Sequence, residues 1–141
     1  MKTINEAQDE IIEEFSAFDD WMDKYSLIID MGKNLAPLDP ALKTPQNRIE
    51  GCQSNVWLDA QYNNGIITFT ADSDAILVKG IVSLLVNLLS GRTPDEILNA
   101  DLYFIQKIGL NEHLSPTRSN GLLAMVKQMK MYALAFKAKA Q

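Results

Sequence analysis

Cysteine and histidine are the scarcest reactive residues in this chain, one of each: Cys52 and His113. A single thiol excludes an internal disulfide. It also excludes any zinc or iron–sulfur site assembled from several thiolates of the same chain. It fits a reducing compartment. Glycine and proline are sparse, at seven and five, so no low-complexity linker is expected. Long apolar runs are missing too. The most apolar stretch, 75–89, is interrupted by Lys79, Gly80 and Asn87, and a bilayer span needs roughly 20 apolar residues. The N-terminal MKTINEAQDEIIEEF is acidic and has no apolar segment of the signal-peptide kind. Basic residues number 13 against 18 acids, for a net charge of −5. That is the wrong sign for a duplex-binding protein. The expectation is a soluble cytoplasmic protein, with neither nucleic acid nor membrane as a partner.

What is present is a globular composition. The 141 residues are 47% hydrophobic and 22% charged, which predicts one domain over 1–141 with a substantial core. The charge is uneven. Residues 1–30 hold nine acids and two lysines, whereas residues 114–141 hold five basic residues and no acid. Solvated faces explain such an asymmetry, and so does a surface that orients a protein partner.

Hydrophobic spacing predicts helix over 4–30. Ile11, Phe15, Phe18, Met22, Tyr25 and Ile29 share one face. Asp19 and Asp20 can cap a second helix starting near Trp21, so one helix and two are both open, with Gly32 as the stop. Pro37, Pro40 and Pro45 mark a surface loop. Residues 55–61 and 66–71 are rich in β-formers, and YNNG between them is a turn signal. They predict an antiparallel hairpin, with 48–50 as a short third strand. Asp72, Ser73 or Asp74 can cap a deeply buried helix that runs to about Leu89 and stops at Gly91. Thr93, Pro94 and Glu96 form a capping box with proline at the first helical position. A short helix over 101–107 stops at Gly109. Ser115-Pro116 opens a long C-terminal helix with Leu122, Met125, Val126, Met129, Tyr132, Ala133 and Phe136 as its buried stripe. The six methionines read as core filler. The order α-α-β-β-α-α-α-α predicts an α+β fold, a small antiparallel sheet of two or three strands packed against several helices.

The one strong nucleophile, Cys52, lies in RIEGCQSN, residues 48–55. A buried structural thiol is the ordinary reading of a free cysteine. Its neighbours argue for chemistry. Gly51 removes a side chain beside the thiol. Gln53, Ser54 and Asn55 are polar and can donate to a thiolate. Hydrolysis by Cys52 needs a base, and His113 is the one histidine available. A lone thiol can instead carry one atom. It attacks the outer sulfur of a persulfide and later yields that sulfur to another thiolate, as in thiol–disulfide exchange. This needs an accessible, partly ionised thiol and no second cysteine.

The run PQNRIEGCQSNVW, residues 45–57, resembles the signature of the SufE family, the Fe–S metabolism associated domain. ADSDAILVKG at 71–80, TPDEI at 93–97 and HLSPTRSNGL at 113–122 match the same family in the same order. The resemblance spans roughly 20–125. It implies a sulfur-acceptor protein that stimulates a PLP-dependent cysteine desulfurase of the SufS type and is not itself an enzyme. Cys52 would take the persulfide sulfur and pass it to an iron–sulfur assembly scaffold. The PLP belongs to the partner, and the chain itself needs no cofactor or metal. Gly51, Gln53, Ser54 and Asp74 fall around the acceptor cysteine. Arg118, from the R-S-N-G run, is a candidate for docking or for favouring thiolate. The implied fold is similar to that of IscU-type scaffolds. A scaffold role is excluded by the cysteine count, since such proteins use several cysteine ligands. The expected state is a monomer or homodimer. The alternatives are a thiol hydrolase using Cys52 and His113, and a binding module with a structural cysteine.

Overall fold

The computed structural model describes residues 2–52 and 54–140. Two helices open the chain, α1 (Ile4–Ser16) and α2 (Trp21–Lys33). Thr3 and Glu6 close a capping box on α1, and the Asp20 carboxylate accepts from Met22 N at the start of α2. The break at 17–20 turns the second helix relative to the first. Met22, placed on the buried stripe by spacing alone, is therefore 69% exposed. Gly32 does not stop α2. It lies inside the helix and buried, and the cap falls at Asn34. After a 3₁₀ turn at Pro40–Leu42 come β1 (Val56–Asn63) and β2 (Ile66–Ser73), then α3 (Ile76–Leu89), α4 (Pro94–Leu98), α5 (Phe104–Lys107), α6 (Leu110–His113) and α7 (Pro116–Ala140). The fold is α+β, as expected.

β1 and β2 form a two-stranded antiparallel sheet in which Asn63 faces Ile66. Asn64 (φ 54°) and Gly65 (φ 81°) make the two-residue turn, the conformation that Asn-Gly favours. Val56 and Leu58 on β1 join Ile67, Phe69 and Ala71 on β2 as one buried face. The expected third strand at 48–50 reduces to a single bridge, Arg48 to Trp57. Two backbone bonds hold that segment to β1: Ile49 N to Val56 O (2.8 Å) and Leu58 N to Asn47 O (2.9 Å). The outer edge of β2 is covered by Gly91 and Arg92, which exchange backbone bonds with Ile67. Both sheet edges are thus occupied by loop backbone, which protects them from further pairing.

α3 is the most buried helix, with nine buried residues from Gly80 to Leu89. None of Asp72, Ser73 and Asp74 caps it; its N-cap is Ala75, with no side-chain bond. Their polar groups serve the neighbouring loop instead. α2 crosses α3 at a pair of glycines. A Cβ on Gly80 would stand 2.1 Å from Ile28 O, and one on Gly32 would stand 2.7 Å from Gly80 N. Ser83 closes the same crossing with a 3.0 Å bond to Met31 O. The Thr93 box on α4 forms as expected. Gly109 (φ 79°) follows the α5 C-cap, Ile108, as the expected stop, and it is also the cap of one more short helix, α6. Along α7, Leu122, Met125, Met129 and Ala133 are buried, and Phe136 stacks on Tyr62 of β1 at 5.1 Å. The methionines divide: Met125 and Met129 fill the core, while Met131 is 53% exposed.

Gln8 is fully buried on α1. It donates to Asp101 O (2.9 Å) and accepts from Phe104 N (3.0 Å), tying α1 to the start of α5. A buried amide is tolerated when both ends are bonded.

Candidate functional site

Cys52 sits at the tip of a loop whose base is the Ile49–Val56 backbone bond. The tip turns at Gly51, whose φ of +88° disfavours any side chain. Space is not the constraint there, since a Cβ would make only an ordinary 3.8 Å contact with Ala124 of α7. The downstream end of the loop is fixed at Asn55. Its side chain accepts from Arg48 Nε (2.8 Å) and donates to Asp74 Oδ2 (2.8 Å). Its backbone N–H donates to Asp74 Oδ1 (3.1 Å), and its carbonyl accepts from Ser73 Oγ (2.8 Å) and Asp74 N (3.3 Å). Upstream, Lys43 bonds Asp72 Oδ2 at 3.0 Å and lies 5.2 Å over the Trp57 ring, and Lys79 adds a 3.4 Å contact to Asp72. Burial works against the Asp72 carboxylate, but the bond to Lys43, the Ser73 N–H and the two lysine charges hold it below its ordinary range.

The Cys52 side chain is half-buried and turned inward. Sγ lies 3.8 Å from Gly121 O, a weak thiol bond to the first turns of α7. Beside it is a cavity of about 30 Å³, walled by Val56 of β1, by Val78, Ile81, Val82 and Leu85 of α3, and by Leu122 and Met125 of α7. That is room for one or two water-sized groups, since one needs about 10–15 Å³. Ser54, Thr117 and Arg118 are its polar lining. Burial pushes the Cys52 thiol above its ordinary pKa, and the Arg48 guanidinium pulls the other way. The resting thiol is therefore protonated near neutral pH.

The sequence-expected residues converge only in part. Cys52, Ser54 and Arg118 share the cavity. Gly51 shapes the tip. Asp74 is near, yet it acts on Asn55 and not on the thiol. Gln53 lies outside the described residues. In the resting state the Cys52 thiol bonds Gly121 O, and the Asn55 side chain is committed to Arg48 and Asp74. His113 is engaged elsewhere. Its ring stacks on Trp21 at 3.9 Å, and Nδ1 lies 2.9 Å from Gly109 O. Cys52 and His113 do not form a nucleophile–base pair. Among the described residues no three metal-ligating side chains gather as a cation site.

Comparison with known proteins fits this arrangement. The profile of the Fe–S metabolism associated domain, SufE, matches residues 9–133. The chain belongs to the SufE family. An uncharacterised SufE-like protein of Rhizobium meliloti is 39% identical over 132 residues, covering 89% of this chain and 93% of that protein. A SufE-like protein of Rhizobium etli is 42% identical over 127 residues, 86% of each chain. SufE-like protein 1 of Arabidopsis thaliana, chloroplastic/mitochondrial, is 42% identical over 133 residues, which cover 94% of this chain and 36% of that longer one. The solution structure of a hypothetical protein from Thermus thermophilus superposes with a TM-score of 0.76 at 21% identity, covering 96% and 97% of the two chains, and so shares the fold. SufE membership associates this chain with Fe–S metabolism. The plant relative's organellar name leaves the cytoplasmic location an expectation only. No helix among the described residues is long and apolar enough to cross a membrane.

Three contributors to the site are not evident from the sequence. Asn55 shows there only as a polar neighbour of the cysteine, and the α3 wall only as core. Gly121 does carry a signal: a glycine inside a predicted helix asks for a packing or functional reason.

Proposed function

We propose that this chain accepts sulfur from a PLP-dependent cysteine desulfurase of the SufS type and relays it to iron–sulfur assembly. The observation that carries the reading is a single thiol, on a loop tip, recessed against an apolar cavity large enough for an added atom. The Cys52 thiol first gives its proton to solvent, which its resting burial opposes. Release from the recess lowers that barrier. The thiolate then attacks the outer sulfur of the donor's persulfide. A new S–S bond forms at Cys52, the donor's S–S bond breaks, and the donor cysteine leaves as thiolate with the electron pair. Delivery repeats the exchange, with an acceptor thiolate attacking the outer sulfur and Cys52 as the leaving group. The exchange asks for no redox group and no general base from this chain. The apolar walls keep water and small thiols from the loaded sulfur.

Docking has to bring the donor to the loop tip. Arg118 is exposed at the cavity, and Arg48 and Lys127 outnumber Glu50 in the groove beside the same loop. These cations favour an acidic rim on the partner. Two other α7 lysines are already used within the fold, Lys137 on Asp95 (2.7 Å) and Lys130 on Ala100 O (2.7 Å).

Incubation with a SufS-type desulfurase and L-cysteine, followed by intact-mass measurement, is expected to add one sulfur to the wild type and none to Cys52→Ser. Sulfur gain by the serine variant, or none by the wild type, would overturn the reading.

A further inference from the structure

Gly121 lies inside α7, with no left-handed φ to demand glycine. Glycine weakens a helix interior relative to alanine, so the backbone gives no reason for it. The loop gives one. A Cβ at Gly121 would stand 3.2 Å from Cys52 Sγ, 3.7 Å from its Cα and 3.8 Å from its Cβ. The first is tighter than an ordinary contact, since even carbon pairs are best at about 3.5–4.0 Å. The Gly121 carbonyl is also the atom the thiol bonds, and Gly121 lines the cavity beside Sγ. The bare Cα therefore both lets the loop tip seat against the helix and leaves the space next to the sulfur open.

We propose that Gly121 is a positioning residue for sulfur transfer: its missing side chain leaves, against Cys52, the recess that shelters the outer sulfur of a Cys52 persulfide. This rests on the sulfur-acceptor reading above and adds a determinant to it. A methyl group here competes with the thiol for one place. The walls from α3 are packed core and cannot yield, so the loop tip is displaced toward solvent. The resting thiol becomes more reactive, and a loaded sulfur loses its shelter.

The test uses Gly121→Ala and does not depend on a desulfurase. Cys52 is converted to its mixed disulfide with thionitrobenzoate and treated with hydrosulfide. The hydrosulfide sulfur bonds to Cys52 and the aryl thiolate leaves, giving the persulfide. Its loss to excess dithiothreitol is timed by cyanolysis, and the unloaded thiol is timed with iodoacetamide across pH. In Gly121→Ala both reactions are expected to run about tenfold faster, the population change that a modest overpacking cost in a closed site produces. The alkylation midpoint should fall toward that of an exposed thiol. The thermal midpoint should hold or rise, because alanine favours the helix. A merely structural role for Gly121 would lower the thermal midpoint and leave the pH midpoint alone, which overturns the proposal. So does a wild-type persulfide no longer-lived than one on the urea-unfolded chain. If the chemical persulfide is sheltered in wild type and not in Gly121→Ala while the desulfurase fails to load Cys52, the recess stands and the acceptor reading falls.

Discussion

Two glycine contacts divide the molecule. At the α2–α3 crossing, Gly32 and Gly80 bring backbone against backbone, and the nearest obstacle to a side chain on Gly80 is a carbonyl oxygen 2.1 Å away. Where α7 meets the Cys52 loop, Gly121 faces a single side chain, and the nearest obstacle is a sulfur at 3.2 Å. The first contact has nothing that can give way, so it is part of what holds the chain folded. The second presses on one group at a loop tip, so disturbing it changes reactivity before it changes stability. On the sulfur-acceptor reading, the chemistry falls where the packing is shallow, over a floor where it is not.

The sharpest division is expected from Cys52→Ser. Sulfur uptake should vanish entirely, while urea unfolding reports wild-type stability, because the thiol is only half-buried and makes one weak bond. A large loss of stability would mean that the loop belongs to the core. Next comes Gly80→Ala, which should cost about 3 kcal/mol or more, despite its better helix propensity, because overpacking meets rigid backbone. A change within about 0.5 kcal/mol, the span of an ordinary surface substitution, would show that the crossing is loose. Asn55→Ala removes side-chain bonds to Arg48 and Asp74. A loss of about 1–2 kcal/mol is expected for the partners left behind, confined mostly to the loop. Iodoacetamide labelling of Cys52 should accelerate more than the thermal midpoint falls, and equal effects would tie the loop to global unfolding.

The smallest effect is one of pH. The Cys52 thiol has a raised pKa in the folded state because it is buried. The folded chain therefore keeps its proton to higher pH than the unfolded chain, whose thiol titrates near 8.5. The contribution to stability is complete below that value and is lost as pH climbs through the folded-state pKa. Urea midpoints measured from pH 7 to 10 should decline slightly more for wild type than for Cys52→Ser. Parallel curves would contradict the burial.

Much of the fold was legible because local rules and tertiary packing agree there. The Asn64-Gly65 turn, the Thr93 box with Pro94, the Asp20 cap and the all-round apolar α3 each follow from short-range chemistry. Misreadings arose where a residue's partner is distant in sequence. Gly32 looked like a helix stop because nothing local reveals Gly80. Met22 looked buried because a four-residue break rotates the second helix. Asp74 looked like a helix cap, yet its carboxylate reaches back to Asn55. Within the site, the four ordered motifs picked out Cys52, and its place beside Arg118 is a matter of folding that no spacing states. The apolar recess and the role of Gly121 needed three elements in register, so no single run of sequence carried them.

One consequence follows for motion. Val78, Ile81, Val82 and Leu85 wall the thiol's cavity on one flank of α3, while Gly80, between them in sequence, is wedged against the backbone of α2. At that crossing backbone meets backbone and Ser83 bonds Met31 O, which resists rolling or sliding of α3. On the sulfur-acceptor reading, the excursion that brings the sulfur to a visiting protein falls to the Cys52 tip and the opening turns of α7. On that reading the moving part is short, and the surface it turns against stays still while the sulfur travels.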